Sequence, residues 1–328
     1  PNETVWFRYP AKSWSEQALH IGNGYMGASF YGEVEKERLD IAEKTFWAGG
    51  PHAAPDFNYG IIKGDKDKIA TIRQLIVERR FAEADSLSRI YMTGDYTNYG
   101  YFSMVGNLWI DFGKNKQPVQ NYLRGIDLST SRGFVEYTQG GVQFNREYFC
   151  SYPDKLMALH FTADKAGKIS FSLSHSLVYP PEEVIESENG LTFNGIIRKN
   201  GLSYTIRIKI VQQGGSVKVA HQRIVVEKAN EATVFYAVDT EYAPVYPLYK
   251  GENPQQNTGK VITKAITKGY ETVKNTHISD YQTLYNRVRF TLTGDTASEQ
   301  LPTNMRVKQL QKGFTDDASL KVLGFNLS

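Results

Sequence analysis

The chain has 328 residues, and its 38 Lys and Arg residues nearly balance its 35 Asp and Glu residues, which leaves a formal net charge of +3. This balance, without a block of like charges, argues against a nucleic-acid or membrane-surface partner. A single cysteine, Cys150, excludes an intrachain disulfide and a cysteine-based zinc site. No apolar run reaches the length that a membrane-spanning helix needs.

The stretch 21–28 contains the pattern G-x-G-x-x-G in Gly22, Gly24 and Gly27. In dinucleotide-binding proteins this pattern follows a strand and opens a helix. Residues 28–34 show no helical period of apolar residues and favour extended chain instead. The pattern therefore indicates a strand-turn-strand element in which the backbone turns tightly or approaches a neighbour, and it argues against nucleotide binding.

Five carboxylates follow the glycine stretch: Glu33, Glu35, Glu37, Asp40 and Glu43. Paired carboxylates are the groups that glycosidic hydrolysis uses. Alternation along a strand would place the first three on one face, and like charges on one face are typical of a solvated surface. We therefore expect a solvated strand face here and not a catalytic pair.

Trp47 lies directly before the turn sequence Gly49-Gly50-Pro51. A glycine-proline turn can present an aromatic face in a loop, where it would be free to stack on a ligand. The indole can equally fill the end of a β-sandwich as part of the core. Both interpretations remain open at this point.

Apolar residues recur at helical spacing between Lys66 and Tyr91. The spacing predicts two short helices that meet near Arg79 and Arg80. We expect this insertion to cover one face of a sheet.

Alternation of apolar and polar residues dominates the chain from Val5 to about Asp239. The clearest case is a run in which five residues alternate with serines, namely Ile169, Phe171, Leu173, His175 and Leu177. Further strands are predicted near 105–112, 142–150, 155–162, 217–226 and 233–239. Many short strands separated by glycine turns indicate antiparallel sheets packed as a sandwich.

The pattern changes to helical in the last quarter of the chain. Apolar residues at steps of four, four and three over 262–288 predict one helix of about 27 residues. Residues 290–292 are predicted as a last short strand. The segment 303–325 predicts two short helices, the first closed by Gly313 and the second capped by Asp316.

Side chains with catalytic potential are few. The six histidines show no metal-ligand spacing, so neither a metal site nor a cofactor is predicted. His175 and His277 lie on apolar faces and are expected to be hydrogen-bonded core or interface histidines. There is no G-x-S-x-G motif, and Cys150 follows an aromatic pair as a small buried apolar residue would.

Six stretches of the sequence match one known family in order and spacing: 6–14, 18–28, 45–51, 106–112, 122–128 and 281–288. They resemble the amino-terminal domain of the glycoside hydrolase family 95 enzymes, the α-L-fucosidase and α-L-galactosidase group. Ordered motifs over nearly the whole chain are more specific than any single motif.

The resemblance implies a mainly β fold, an antiparallel β-sandwich of the galactose-mutarotase-like (supersandwich) kind. The sandwich would occupy 1–255, with a small helical insertion at about 66–91. A helical linker and the start of an (α/α)6 barrel would occupy 256–328. In the family, the inverting hydrolysis takes place in that barrel, where a Glu acts as acid and an Asp with Asn partners handles the water.

The resemblance also implies what the chain lacks and what it binds. We expect the chain to end before the catalytic residues, so that it has none and is inactive alone. Expected partners are glycans with terminal L-fucose or L-galactose and a catalytic barrel in cis or in trans. A secreted or periplasmic location, after removal of a signal peptide, is implied as well.

The predicted substrate-binding residues are Asn23, Tyr25, Trp47 and His52. Several positions depart from the family pattern: Ala42 and Lys44 stand where Asn and Asp are usual, Tyr25 where Arg is common, and His20 where Pro is usual.

Two alternatives to the role of an enzyme's amino-terminal domain remain open. One is a free-standing carbohydrate-binding module that uses exposed aromatic residues such as Trp47, Tyr96, Tyr99 and Tyr101. The other is a protein-interaction module that docks onto a separate catalytic chain through its helical carboxyl-terminal part.

Overall fold

The computed structural model describes residues 3–50, 66–93, 99–294, 297–313 and 316–327. The strands are β1 (Thr4–Phe7), β2 (Leu19–Gly22), β3 (Met26–Phe30), β4 (Lys36–Ala48), β5 (Tyr101–Asp111), β6 (Val119–Asp127), β7 (Arg132–Gln139), β8 (Val142–Ser151), β9 (Leu156–Ala163), β10 (Ile169–Leu177), β11 (Glu183–Ser187), β12 (Gly190–Ile197), β13 (Leu202–Gln213), β14 (Ser216–Ala220), β15 (Arg223–Ala229) and β16 (Glu231–Thr240). The helices are α1 (Asp67–Val77), α2 (Phe81–Tyr91), α3 (Pro254–Lys268), α4 (Tyr270–Tyr285), α5 (Thr303–Gln311) and α6 (Ala318–Leu327), with a 3-10 turn at Ala297–Gln300.

The strands form two antiparallel sheets that enclose one core. The nine-stranded sheet has the order β1-β6-β7-β8-β9-β16-β13-β12-β11, and the seven-stranded sheet has the order β14-β15-β10-β5-β4-β3-β2. Side chains from both sheets, such as Ile41 and Leu108 of one and Ile206 and Ile208 of the other, are fully buried in the same cluster. Each such side chain stabilises the fold by roughly 1.5–3 kcal/mol. The predicted antiparallel β-sandwich is confirmed.

Four of the five strands predicted between 105 and 239 are confirmed as β5, β8, β9 and β16. The prediction of one strand at 217–226 is wrong, because β14 and β15 form a hairpin there. His221 and Gln222 make its turn with φ values of 52° and 58°. Two residues with left-handed φ turn the chain tightly, but this sequence lacks the Asn-Gly or Asp-Gly signal that usually marks such a turn.

The two helices predicted between residues 66 and 91 are confirmed as α1 and α2. Their buried residues, Ile72, Leu75 and Ala84, form a small cluster of their own with Leu87 alongside. This cluster is separate from the core of the sandwich. We expected the insertion to cover a sheet face. Within the described residues, its buried side chains pack on one another instead.

The prediction of a single helix over 262–288 is wrong, because the helix is interrupted at Gly269 and forms α3 and α4. Gly269 has φ 74° and ψ 160°, a conformation that only glycine adopts readily. The apolar stripe nevertheless continues across the break: Ile262 and Val273 are buried with Phe149 and Phe235 on the outer face of the nine-stranded sheet. The break therefore redirects the chain without removing either helix from the sheet.

Replacing Gly269 by alanine is expected to lower the free energy of unfolding by about 1–3 kcal/mol, because an added Cβ is strained at this φ and ψ. No other atom lies within 4 Å of that Cβ position, so the cost is conformational and not steric. Gly259→Ala is the matched control, since Gly259 lies inside α3 and alanine favours a helix. Urea denaturation measures both variants. Equal stability of the Gly269 variant and the wild type would contradict this account of the break.

The carboxyl-terminal segment differs from the prediction at 290–292 and at the cap of its last helix. Residues 290–292 form no strand, and Phe290 instead packs on Phe325 with ring centroids 4.9 Å apart. The two helices predicted within 303–325 are confirmed as α5 and α6, and Gly313 follows α5 with φ 71°.

Asp317, and not Asp316, caps helix α6. Its Oδ1 accepts from the backbone N–H of Leu320 at 2.9 Å, and Arg306 holds the same carboxylate through two hydrogen bonds of 2.7 and 2.8 Å. Asp316 pairs with Lys321 instead. The capping prediction missed by one residue because the buried Arg306 selects the neighbouring aspartate.

Within the described residues, no helix is long and apolar enough to cross a membrane. The last strand ends at Thr240 and α3 begins at Pro254. The division of the chain at residues 255 and 256 into a sandwich and a helical linker stays a prediction.

Candidate functional site

The glycine stretch forms the hairpin β2-β3, as expected, with Gly24 in its turn at φ 80°. The side chain of Asn23 holds this turn: its Oδ1 accepts from the N–H groups of Tyr25 and Met26 at 2.9 and 2.8 Å. Its Nδ2 donates to the carbonyl oxygen of Ser151 at 2.7 Å. Asn23 thus fastens the hairpin to the end of β8, and its substrate-binding role stays a prediction.

Tyr25 lies in a group of aromatic rings and ammonium groups that we call the Tyr25 cluster, made of Tyr25, Tyr152, Lys44 and Lys155. The rings of Tyr25 and Tyr152 stack with centroids 5.3 Å apart. Lys44 Nζ lies 3.8 Å from the centroid of the Tyr25 ring, and Lys155 Nζ lies 5.2 Å from it. Two cations on one ring pair make this an electropositive, partly aromatic surface.

Trp47 lines a neighbouring cavity of about 520 Å³, which we call the Trp47 pocket. The residues that line it are Lys44, Trp47, Gly49, Gly50, Gly100, Asn200, Leu202, Tyr242, Leu248 and Tyr249. They come from the end of the sandwich where β4 and β16 finish and β13 begins. The volume is in the range of small-ligand sites, and the lining is mostly apolar.

The indole of Trp47 is held in place and remains 43% exposed. Its Nε1 donates to the carbonyl oxygen of Lys44 at 2.8 Å, and its ring meets the edge of Phe102. Asn200 Nδ2 donates to the carbonyl oxygen of Trp47 at 2.7 Å. This arrangement favours the interpretation in which Trp47 presents an aromatic face, because a residue that filled the core would be buried.

Lys44 joins the two features. Its ammonium group lies over the ring of Tyr25, and the same residue lines the Trp47 pocket. A ligand in the pocket would therefore lie next to Lys44, and beyond this residue lies the Tyr25 cluster.

The carboxylates do not form the expected solvated face. Strand β4 begins at Lys36, so Glu33 and Glu35 precede it, and Glu37 points into the core with no exposed surface. The prediction was wrong for Glu37 because its partner, the buried Arg146 at 3.8 Å, belongs to the opposite sheet. Such long-range pairing is not visible in the local pattern.

Glu43 is buried beside the pocket end of the sandwich. Its Oε2 accepts from the backbone N–H of Thr45 at 2.8 Å and from the hydroxyl of Thr45 at 2.6 Å. Burial, together with a smaller contribution from the nearby Asp239, raises the pKa of Glu43 to about 7. Burial also raises the pKa of Asp239, whose Oδ2 accepts from Asn257 Nδ2 at 3.0 Å.

The remaining predicted residues lie in different places. His52 and Tyr96 fall outside the described residues. Tyr99 and Tyr101 are exposed, and Lys199 Nζ lies 5.0 Å from the centroid of the Tyr101 ring.

His277 and Cys150 are buried in the fold, and His175 is half-buried. His175 Nε2 lies 2.9 Å from the hydroxyl of Tyr236, and His277 Nε2 lies 3.1 Å from the carbonyl oxygen of Thr130. Burial lowers the pKa of both histidines and raises the pKa of the Cys150 thiol. Hydrogen-bonded core histidines and a buried cysteine were expected. Among the described residues, no cluster of His, Cys, Asp or Glu side chains suits a metal ion.

Sequence reasoning missed the pocket residues that come from the turn between β12 and β13 and from the loop after β16: Asn200, Tyr242 and Tyr249. The aromatic segment 242–249 was a visible signal, because it carries three tyrosines in eight residues. What was not visible was its position opposite Trp47, which depends on the order of the strands.

Comparisons with known proteins identify the class of protein. Residues 5–244 match the family described as Glycosyl hydrolase family 65, N-terminal domain, and residues 269–328 match the Glycosyl hydrolase family 95 catalytic domain. The fold and these matches define a glycoside-hydrolase protein. The chain belongs to the glycosyl hydrolase family 65 N-terminal domain family, and its resemblance to the amino-terminal domain of family 95 enzymes is confirmed.

Relatives and a solved structure agree with this assignment. The Probable alpha-fucosidase A of Aspergillus niger is 28% identical in an alignment of 316 positions that covers 92% of this chain and 39% of that protein. The Alpha-L-fucosidase 2 of Arabidopsis thaliana is 28% identical in an alignment of 339 positions, gaps included, that covers 95% of this chain and 39% of that protein. A structure described as a kojibiose phosphorylase from the human microbiome shares the fold, with a TM-score of 0.55 and 10% identity over 87% of this chain and 38% of that one.

Proposed function

We propose that this chain is the non-catalytic amino-terminal β-sandwich of a family 95-like α-L-fucosidase. An (α/α)6 barrel, in cis or in trans, would carry out the hydrolysis of α-L-fucosyl or α-L-galactosyl glycans. The observation that carries the proposal is the order of matches in one chain, a hydrolase sandwich over 5–244 followed by family 95 catalytic sequence over 269–328. A secreted or periplasmic location belongs to the same proposal.

The chemistry of the Trp47 pocket supports a non-catalytic role. Glycosidic hydrolysis uses a carboxylic acid and a carboxylate on either side of the scissile bond. The described residues that line the pocket include no Asp or Glu. Glu43 lies nearby, but this residue is only 4% exposed and its carboxyl group accepts hydrogen bonds from Thr45.

The same pocket supports a role in holding the glycan. The apolar face of a sugar ring stacks on aromatic side chains, and Trp47, Tyr242 and Tyr249 line one cavity. Lys44 would orient the sugar hydroxyls, whereas the amide of Asn200 is bonded to the backbone of Trp47, Gly49 and Leu202 and holds the pocket wall. Because Trp47 is exposed, a free-standing carbohydrate-binding module is the second candidate function.

A hydrolysis assay tests the proposal. Incubation of the chain with an α-1,2-fucosylated or an α-L-galactosylated oligosaccharide is expected to release no monosaccharide, because no acid and base pair among the described residues lines the pocket. Mass spectrometry of the products measures this. Release of L-fucose that disappears in Glu43→Gln or Asp239→Asn, but not in the exposed Glu35→Gln, would overturn the non-catalytic role.

A protein-interaction module remains a further candidate, favoured by exposed apolar residues in the helical part of the chain. Leu284 is 64% exposed, Val288 is 66% exposed and Leu327 is 59% exposed. If these residues mediate association between copies, sedimentation velocity should show concentration-dependent dimers. Monomers at all concentrations would count against association with a second copy.

A further inference from the structure

We propose that the Tyr25 cluster is an anion-binding subsite, so that the glycan in the Trp47 pocket carries a sulfate ester or a carboxylate group. The inference rests on the proposed function for the location of the glycan. The charge preference itself follows from the side chains of the cluster.

The first observation is that two ammonium groups converge on one ring from separate elements. Lys44 belongs to β4, and Lys155 belongs to the turn between β8 and β9. Their Nζ atoms lie 3.8 and 5.2 Å from the centroid of the Tyr25 ring. Two like charges repel one another, so the arrangement is stabilised when an anion lies between or beside them.

The second observation is that neither ammonium group is in an ion pair within the described residues. Two lysines of the same region show the contrast: Lys250 pairs with Glu241 at 2.7 Å, and Lys268 pairs with Asp154 at 2.5 Å. The side chains of Lys44 and Lys155 are both exposed to solvent. They therefore have donors available for a ligand.

The carboxyl groups near the cluster do not remove this positive charge. Glu43 interacts electrostatically with Lys44, and Asp239 does so with Lys155, but both carboxyl groups are hydrogen-bonded to internal partners, Thr45 and Asn257. Burial holds the pKa of Glu43 at about 7, so this group is largely protonated in mildly acidic solution. Asp280 interacts electrostatically with Tyr152.

The aromatic pair gives the subsite a shape as well as a charge. Tyr25 and Tyr152 stack at an interplanar angle of 25°, and Tyr152 is 52% exposed. A sugar ring can rest on this surface while its anionic substituent accepts hydrogen bonds from the ammonium groups. A lysine binds such a group as a point charge, which suits the oxygens of a sulfate ester or of a carboxylate.

The subsite is continuous with the Trp47 pocket. Lys44 contributes to both, and the carbonyl oxygen of Lys44 accepts from Trp47 Nε1. One oligosaccharide can therefore place a neutral ring against Trp47 and an anionic ring or substituent against the Tyr25 cluster.

Titration calorimetry with three oligosaccharides of equal length tests the inference: neutral fucosylated, sulfated fucosylated and uronate-bearing. An anionic ligand is expected to bind about tenfold more tightly than the neutral one at low salt, the ratio that one charge-assisted hydrogen bond supplies. The ratio should fall at high salt. The double variant Lys44→Met, Lys155→Met should bring the anionic ligand to the affinity of the neutral one.

Lys12→Met, at an exposed lysine outside the cluster, is the matched control and should keep the preference. Tighter binding of the sulfated or of the uronate-bearing ligand by the wild type shows whether the subsite prefers a sulfate ester or a carboxylate. Equal binding of neutral and charged ligands overturns the anion subsite and leaves the proposed function standing. A preference that is equally lost in the Lys12 variant also overturns it. Absence of binding to all three overturns the glycan-binding role of the pocket together with the subsite.

Discussion

Replacing Arg146 by methionine is expected to lower the free energy of unfolding by about 3–5 kcal/mol, the cost of leaving a buried charge without its partner. Arg146 is 1% exposed and lies 3.8 Å from the carboxylate of Glu37. Its guanidinium also donates to the carbonyl oxygens of Glu33 and Val34, each at 2.7 Å, and to the hydroxyl of Tyr137 at 2.9 Å. Urea denaturation followed by circular dichroism measures the effect.

Two further variants separate the loss of an arginine side chain from the effect of an unpaired buried charge. Arg80→Met removes an exposed arginine that pairs with Glu78 and Glu83, and it should change the stability by less than about 1 kcal/mol. The double variant Arg146→Met, Glu37→Met should recover part of the loss, because no unpaired charge remains in the core. If Arg146→Met were as stable as the wild type, the ion pair would not hold the two sheets together as described.

The stability of the chain is expected to fall between pH 5 and pH 8 because of Glu43. Its pKa is about 7 in the folded protein, against 4.5 for a free carboxyl group. The folded state therefore binds the proton more tightly than the unfolded state. The resulting stabilisation is complete below pH 4.5 and is lost as the pH rises through about 7. The loss amounts to about 3 kcal/mol when Glu43 is fully ionised.

Glu43→Gln should remove this pH dependence. A glutamine side chain can still accept from the N–H and hydroxyl of Thr45 through its Oε1, but it does not titrate. Glu35→Gln, an exposed control with the same change in charge, should keep the slope of the wild type. Thermal unfolding at several pH values measures all three proteins. Parallel curves for the wild type and Glu43→Gln would show that Glu43 is not the group responsible.

The sandwich could be predicted from sequence because alternation of residue types reports directly on which strand face is buried. Strand β10 shows this clearly, with Ile169, Phe171 and Leu173 buried and the intervening serines turned away. The break between α3 and α4 could not be predicted, because glycine is tolerated inside a helical pattern at a cost of only about 1 kcal/mol. Only the backbone shows that Gly269 has positive φ.

The candidate site was predictable in part. Trp47 and Tyr25 could be singled out because an indole beside a glycine turn and a tyrosine in a glycine hairpin are local features. Lys155 and Asn200 could not, because they reach the site from turns that follow other strands. Their roles depend on strand order, which a local pattern does not contain.

The burial of Glu37 in the core likewise could not be predicted from the local sequence pattern. A strand pattern with charged residues on one face is typical of a solvated surface, and nothing within the segment indicates otherwise. The deciding contact is made by Arg146 of β8, across the sandwich. Long-range charge pairing therefore reversed an expectation that was sound for an isolated strand.

The most direct test of the account is the affinity of this chain for a fucosylated oligosaccharide, measured by calorimetry on the wild type and on Trp47→Ala. The account predicts binding by the wild type at millimolar sugar or below, and its loss in the variant with the fold retained in the circular dichroism spectrum, since Trp47 is 43% exposed and is not among the buried core residues. Phe325→Ala, at an exposed aromatic residue of α6, should bind as the wild type does. Equal binding by the wild type and Trp47→Ala, or no binding by either, would contradict it.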